Sequence, residues 1–240
     1  MTLTEQRIVI VGGSSGMGLA TARAAAREGA VVTVVSSSPE RVDAAVAELP
    51  AGCDGAVADV RDEDAVAELS ERLGELDHLV FTAGDAFTPR PLTEMSSAEA
   101  RAILDVRFWG AVGVIRFAAP RIRTGGSIAL TTGTVGQRPV PGAALAAAGA
   151  GATEGLVRGL AAELAPVRVN AVRAGSIRTP LWDWVPGPQR EAVFARLAQR
   201  TLLGTIGEPE EIALAHIYLM QNHYVTGTVL TVDGGLLLAG

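Results

Sequence analysis

Short β-branched runs recur along the chain, and stretches with helical periodicity separate them. Arg7-Ile8-Val9-Ile10-Val11 is the first run, and the Ala-rich stretch reaching Glu28 has its apolar residues at helical spacing. A second apolar strand is predicted over 31–35 and a helix over 39–49, with Val42, Val46 and Leu49 on one face. Val57-Ala58-Asp59-Val60 ends a third strand, 65–73 is helical, and His78-Leu79-Val80-Phe81 begins a fourth strand. A long helix is expected over 98–118, a fifth strand at Ile128-Ala129-Leu130, and another long helix over 143–164. A sixth strand over 167–172, a helix from Glu210 to Gln221 opened by Pro209, and a last strand over 229–232 complete the pattern. The strands are continuously apolar rather than alternating, which is the pattern of a parallel sheet covered on both faces. The expected fold is α/β, a doubly wound parallel sheet of Rossmann type in a single domain spanning 1–240.

Composition narrows the possible partners. Hydrophobic residues make up 48% of 240 residues and aromatics only 4%, enough for one sizeable aliphatic core. The net charge of −6 comes without a basic block, so neither nucleic acid nor an anionic membrane is an expected partner. Cys53 is the only cysteine, and the chain does not open on a charged stretch followed by an apolar one; the expectation is a cytoplasmic protein without disulfides. His78, His216 and His223 are too scattered for a zinc pattern, so no metal is expected, and His216 falls inside an apolar helix where a structural role is the default.

The candidate chemistry begins directly after the first strand, at Gly12-Gly13-Ser14-Ser15-Gly16-Met17-Gly18. Glycines at 12, 16 and 18 let the backbone turn sharply and bring bare N–H groups against a pyrophosphate at the positive end of the following helix. A tight strand-to-helix turn would read the same way in isolation. Further motifs decide: Asp59-Val60, Thr82-Ala83-Gly84, Leu160-Ala161-Ala162-Glu163-Leu164 followed by Arg168-Val169-Asn170-Ala171-Val172, and Val232-Asp233-Gly234-Gly235.

Together these motifs resemble the short-chain dehydrogenase/reductase family over essentially the whole chain. The resemblance implies an oxidoreductase that binds a nicotinamide dinucleotide and acts on a small-molecule substrate. It places Gly12, Ser14, Ser15, Gly16, Met17 and Gly18 at the cofactor loop, Asp59 and Val60 at the adenine, and Thr82, Ala83 and Gly84 at the family's Asn-Ala-Gly motif with Thr for Asn. Gly175, Ile177 and Thr179 fall in the loop that holds the carboxamide, after Ala174 where the family has Pro. It also implies a mobile substrate lid around 180–200, carrying Trp182, Trp184 and Phe194, and a homodimer or homotetramer built on the Ala/Gly-rich helix from residue 143. The two tryptophans would equally serve as lid-to-core packing.

Where an acidic residue would select NAD, the chain has Ser36-Ser37-Ser38, with Arg41 one helical turn on. Three hydroxyls without a carboxylate admit a 2′-phosphate, so NADP(H) is favoured over NAD(H); the same serines would also cap a helix at Pro39.

The departures fall on the family's catalytic positions. Its Tyr and Lys align with Ala146 and Ala150, its Ser with Gly133 and its Asn with Arg107. The expected activity is therefore hydride transfer to or from a small organic acceptor without the usual Tyr and Lys. The alternative is an inactive cofactor-binding homologue serving as sensor, scaffold or partner subunit. Arg107 is the candidate clamp for an oxyanion or carboxylate, in a buried cleft, and Thr132 and Thr134 flank the vacant Ser position, where local backbone bonding is an equal alternative. Arg138 reads as a solvated loop charge.

Overall fold

The computed structural model describes residues 2–86 and 88–239. Seven parallel strands, β1 (Arg7–Val11), β2 (Val31–Ser36), β3 (Asp54–Val57), β4 (Leu76–Phe81), β5 (Ile122–Gly133), β6 (Arg168–Ala174) and β7 (Val229–Val232), form one sheet in the order β3-β2-β1-β4-β5-β6-β7. The helices are α1 (Gly16–Arg27), α2 (Pro39–Val46), α3 (Glu63–Leu73), α4 (Ser97–Leu104), α5 (Ala111–Ala118), α6 (Ala144–Glu163), α7 (Gly187–Ala198) and α8 (Pro209–Gln221). Successive side chains on a strand point to opposite faces. Ile8 and Ile10 accordingly pack with α1 and α8, while Val9 and Val11 pack with α3 and α5. Both faces of the sheet are covered, as the continuous apolar strands required. The domain is a single Rossmann-type α/β unit, and the chain order reverses between β1 and β4, opening a crevice at the carboxyl ends of the strands.

Several boundaries differ from the periodicity. Residues 78–81 end β4 rather than begin it, and Ala58-Asp59-Val60 lies in the loop beyond β3. The expected helix over 98–118 is broken by a π turn at Asp105–Gly110, which inserts an extra residue and carries Arg107. Gly110 permits it, since a Cβ there would stand 2.6 Å from the Val60 side chain. Within the expected lid, residues 187–198 form α7, whose Phe194 is buried and packs edge-on against Trp182. None of the described helices is long and apolar enough to cross a membrane.

Buried arginines fasten the covering helices to the sheet. Arg168 donates from Nη1 to the Leu219 carbonyl (2.6 Å) and from Nη2 to that of Met220 (2.8 Å), satisfying the carboxyl end of α8. Arg173 on β6 grips Glu154 on α6 through two bonds of 2.8 and 2.7 Å, and its Nη1 donates to Thr231 on β7. Arg138 is not a solvated charge: its Nη1 donates to the carbonyls of Leu236 (2.6 Å) and Ala239 (2.7 Å), pinning the C-terminal segment beneath the β5–α6 loop. Asn170, within the marked segment after α6, donates to the Val225 carbonyl and accepts from the Thr228 N–H, so its role is to hold the turn before β7.

Glu154→Ala would leave the Arg173 guanidinium buried without its counter-charge. The expected cost is about 3–5 kcal/mol of unfolding free energy, read from a shift of the urea midpoint.

Candidate functional site

The loop after β1 meets the end of β4 backbone against backbone. A Cβ on Gly12 would stand 2.5 Å from the Ala83 nitrogen, and one on Gly18 only 2.1 Å from the Gly12 carbonyl oxygen. Gly12 also takes φ +84°, a left-handed conformation that favours glycine. Thr82 completes the junction: its N–H donates to the Val11 carbonyl, and its hydroxyl lies 3.2 Å from the carbonyl oxygens of both Val11 and Gly12. The side chain at the family's Asn position thus clasps β1 to β4.

This junction aims the amino end of α1 into a cleft of about 310 Å³. The first turn of α1 has no acidic residue and the Ser15 side chain does not cap it, so its unpaired N–H groups and the Ser14 and Ser15 hydroxyls face the cleft. The lining continues through Gly16, Met17 and Gly18, then Ser36, Ser37 and Arg41 beyond β2, Asp59, Val60 and Arg61 beyond β3, and Thr82 to Ala86 beyond β4. Thr179, Pro180 and Leu181 close the side over Gly16.

Ser38 does not line the cleft. Its hydroxyl accepts the Arg41 N–H at 3.3 Å and donates to Glu40, so it is the cap of α2, while Ser36 and Ser37 remain in the cleft. Gly175 and Ile177 also stand apart from the lining. Gly175 packs on the Asp233 backbone, and Ile177 is buried with its carbonyl accepting from Trp182 Nε1 at 2.9 Å. Of that loop only Thr179 reaches the cleft.

Thr132 and Thr134 are both buried and neither lines the cleft. Thr132 donates its hydroxyl proton to the Ala150 carbonyl at 3.3 Å, a bond that ties β5 to α6 rather than to the adjacent backbone. Ala146 and Ala150 lie one turn apart on α6, and the turn after β5 packs on Ala150: a Cβ on Gly136 would stand 3.0 Å from that of Ala150.

Arg107 corrects the expectation of a buried cleft, because its side chain is exposed at the rim. The guanidinium lies against Gly84, where a Cβ would be 2.4 Å from Cζ, and Nη2 donates to the Asp85 carbonyl at 2.8 Å. Protein atoms crowd the guanidinium enough to push its pKa below the ordinary arginine value, with Asp85 partly opposing. It stays charged. Among the described residues no carboxylate reaches it within ion-pair distance.

The sequence reading missed Arg61, Asp85 and Leu181 as lining residues. Arg61 embraces Asp59, with Nε 3.0 and 3.1 Å from its two oxygens and Nη2 2.7 Å from Oδ2, and thereby holds the carboxyl below its usual range. Its place directly after Asp59-Val60 was the available signal.

Proton donors are scarce around the cleft. The sequence contains no lysine, and its two tyrosines, Tyr218 and Tyr224, are exposed near the carboxyl end of α8, which Arg168 holds at the starting end of β6, away from the carboxyl ends of the strands. His216 is fully buried, with Nδ1 3.0 Å from the Thr21 hydroxyl and Nε2 3.3 Å from that of Thr131, bracing α8 against α1 and β5. His78 lies between Ser127 (2.8 Å) and Gln6 (2.9 Å). Burial lowers both imidazoles to about 4, with the Arg168 charge adding to the effect at His78. No group of three or more metal-ligating side chains occurs among the described residues.

A family model described as enoyl-(acyl carrier protein) reductase matches residues 11–237. The chain is 34% identical to the short-chain dehydrogenase/reductase ucsE of an Acremonium species, covering 99% of this chain and 97% of the relative. The chain belongs to the short-chain dehydrogenase/reductase family. Another family member, the 3-oxoacyl-[acyl-carrier-protein] reductase FabG of Thermotoga maritima, is 34% identical, with 99% of this chain and 100% of the relative covered. Among solved structures, a small-chain dehydrogenase in complex with NADPH superposes with a TM-score of 0.86 at 33% identity, over 98% of this chain and 100% of that one. The MalC reductase/Diels-Alderase of Malbranchea aurantiaca gives 0.91 at 29% identity, over 98% of each chain. The fold and the oxidoreductase class thus rest on full-length matches.

The histidines generate a pH dependence of stability. In the unfolded chain they take up protons near pH 6.5, while the folded chain resists until about pH 4. Stability is full above pH 6.5 and falls on acidification, by about 1.4 kcal/mol per pH unit for each histidine. Denaturation titrations at pH 7, 6 and 5 check this; a flat profile would contradict it.

Proposed function

We propose that this protein is an NADP(H)-dependent oxidoreductase acting on a small organic acceptor, at a site that works without the family's Tyr and Lys. The observation that carries the reading is the continuous cleft running from Ser36, Ser37 and Arg41, past the bare amino end of α1, to Gly84 and Asp85. Its residues fit a dinucleotide: the glycines leave room that any Cβ would fill, and the orphan N–H groups suit a pyrophosphate. No carboxylate follows β2 directly, and Arg41 has no ion-pair partner among the described residues, which favours a 2′-phosphate. A relative of the same fold binds NADPH. When bound, the nicotinamide supplies or takes the hydride.

The chain's own residues bind and orient. Arg107 has spent one N–H on the Asp85 carbonyl and keeps the others for an oxyanion or carboxylate of the acceptor. Thr179, Pro180 and Leu181 wall the cleft, and residues 180–200 are read as its lid. With alanine at 146 and 150 and no lysine anywhere, water rather than a side chain delivers any proton. Losing a general acid forfeits about 10²–10⁴-fold, whereas alignment alone supplies about 7–11 kcal/mol. Acceptors whose reduction needs no proton from the protein are therefore favoured. The protein is read as cytoplasmic and homo-oligomeric; on α6 a Cβ at Gly151, Gly155 or Gly159 would meet nothing, leaving that face open for a second copy.

The second reading, a cofactor-binding homologue without hydride chemistry, draws on the same alanines. Fluorescence titration with NADPH followed by absorbance assays over ketones, quinones, imines and activated alkenes separates the two. Binding without turnover of any of them moves the second reading ahead. Arg107→Ala is expected to lower turnover at least tenfold while NADPH affinity stays within about twofold, as loss of one charge-assisted contact to the acceptor requires. Unchanged turnover removes Arg107 from the site.

A further inference from the structure

The loop beyond β3 places an acid and a base, already clasped together, at the end of the cleft that also holds Ser36, Ser37 and Arg41. Arg61 binds Asp59 through Nε and Nη2, and its backbone N–H donates to Oδ1 at 3.0 Å. Among the described residues Nη1 has no hydrogen-bond partner. Asp85 and Asp105 act on Arg61 only through space, and Glu40, beside Arg41, is bonded to the Ser38 hydroxyl and does not line the cleft. At this end the guanidiniums of Arg41 and Arg61 meet the Asp59 carboxylate, and Asp85, which also lines the cleft, adds its negative charge through space; without Arg61 the local charge would fall by one unit.

We propose that Arg61 is a cofactor-specificity residue: by compensating Asp59 it leaves the adenosine end of the cleft one unit charge more positive than Asp59 alone would, which favours a ribose carrying a 2′-phosphate over one carrying a free 2′-hydroxyl. The proposal rests on the dinucleotide reading above and adds to it a residue outside the segment that follows β2. An ionised Asp59 without Arg61 would cancel Arg41 and recreate the acidic environment that suits NAD. Asp59 is ionised at neutral pH with or without Arg61, so removing Arg61 exposes a full negative charge. A doubly charged phosphate feels the change of one unit charge over several ångströms, a distance inside the screening length at about 0.1 M salt.

Calorimetric dissociation constants for NADPH and NADH test it, measured on the intact protein and on Arg61→Gln, Asp59→Asn and the double variant. The NADH/NADPH ratio of dissociation constants is expected to fall about three- to tenfold in Arg61→Gln. It should rise in Asp59→Asn and return near its original value in the double variant, with the spread narrowing at high salt. A structural role alone would weaken both dinucleotides together, so an unchanged ratio in Arg61→Gln overturns the proposal. Should that variant misfold, a ratio that fails to rise in Asp59→Asn overturns it instead. If the unaltered protein binds neither dinucleotide, the cofactor reading falls and this proposal with it.

Discussion

The contact between two stretches of bare backbone, Gly12 on Ala83 and Gly18 on the Gly12 carbonyl, governs the geometry of everything above the sheet. It fixes how far apart β1 and β4 lie where the chain order reverses, and it sets the direction in which α1 presents its unpaired N–H groups. Thr82 ties the two sides with its N–H and hydroxyl, so the cleft floor is braced by hydrogen bonds as well as by packing. Beneath it, His216 joins α1, β5 and α8 through two hydroxyls, and its buried imidazole stays neutral because charging it there would cost desolvation.

Arginine does several unlike jobs in this molecule. Arg168, Arg173 and Arg138 are spent on the architecture, on helix carbonyls, a buried carboxylate and the C-terminal segment respectively. Arg41 and Arg61 line the cleft, and Arg107 stands at its rim beside Gly84 and Asp85. Their planar, permanently charged heads suit phosphate and carboxylate, and none of them can give up a proton at neutral pH. A cleft furnished this way is better suited to positioning than to acid–base chemistry, which is the ground on which acceptors needing no proton from the protein are proposed.

Much was legible in the sequence because it depended on near neighbours. Continuous β-branched runs specified buried parallel strands, and Gly12 to Gly18 specified a phosphate-type turn; the order β3-β2-β1-β4-β5-β6-β7 came only with the tertiary structure, since alternation permits more than one order. The limits of the reading are equally local. The π turn at Asp105–Gly110 has no periodic signature, since it arises from Gly110 fitting against Val60 on another element. Helix α7 was concealed by the proline-rich segment before it, and its buried Phe194 is covered by Trp182 and Arg178 from the preceding loop.

Side-chain roles divide along the same line. Sequence alone determined the fold class, the cofactor-type loop and the alanines at 146 and 150, because these depend on residue identity and local period. Tertiary structure decided which polar groups were still free: Ser38 went to its own helix cap, Thr132 to the Ala150 carbonyl, Ile177 to Trp182 and Arg138 to the tail, while Arg61 was drawn to Asp59. A donor or acceptor joins a site only if no partner in the folded chain has already satisfied it, and those partners come from segments far apart in sequence as well as close by.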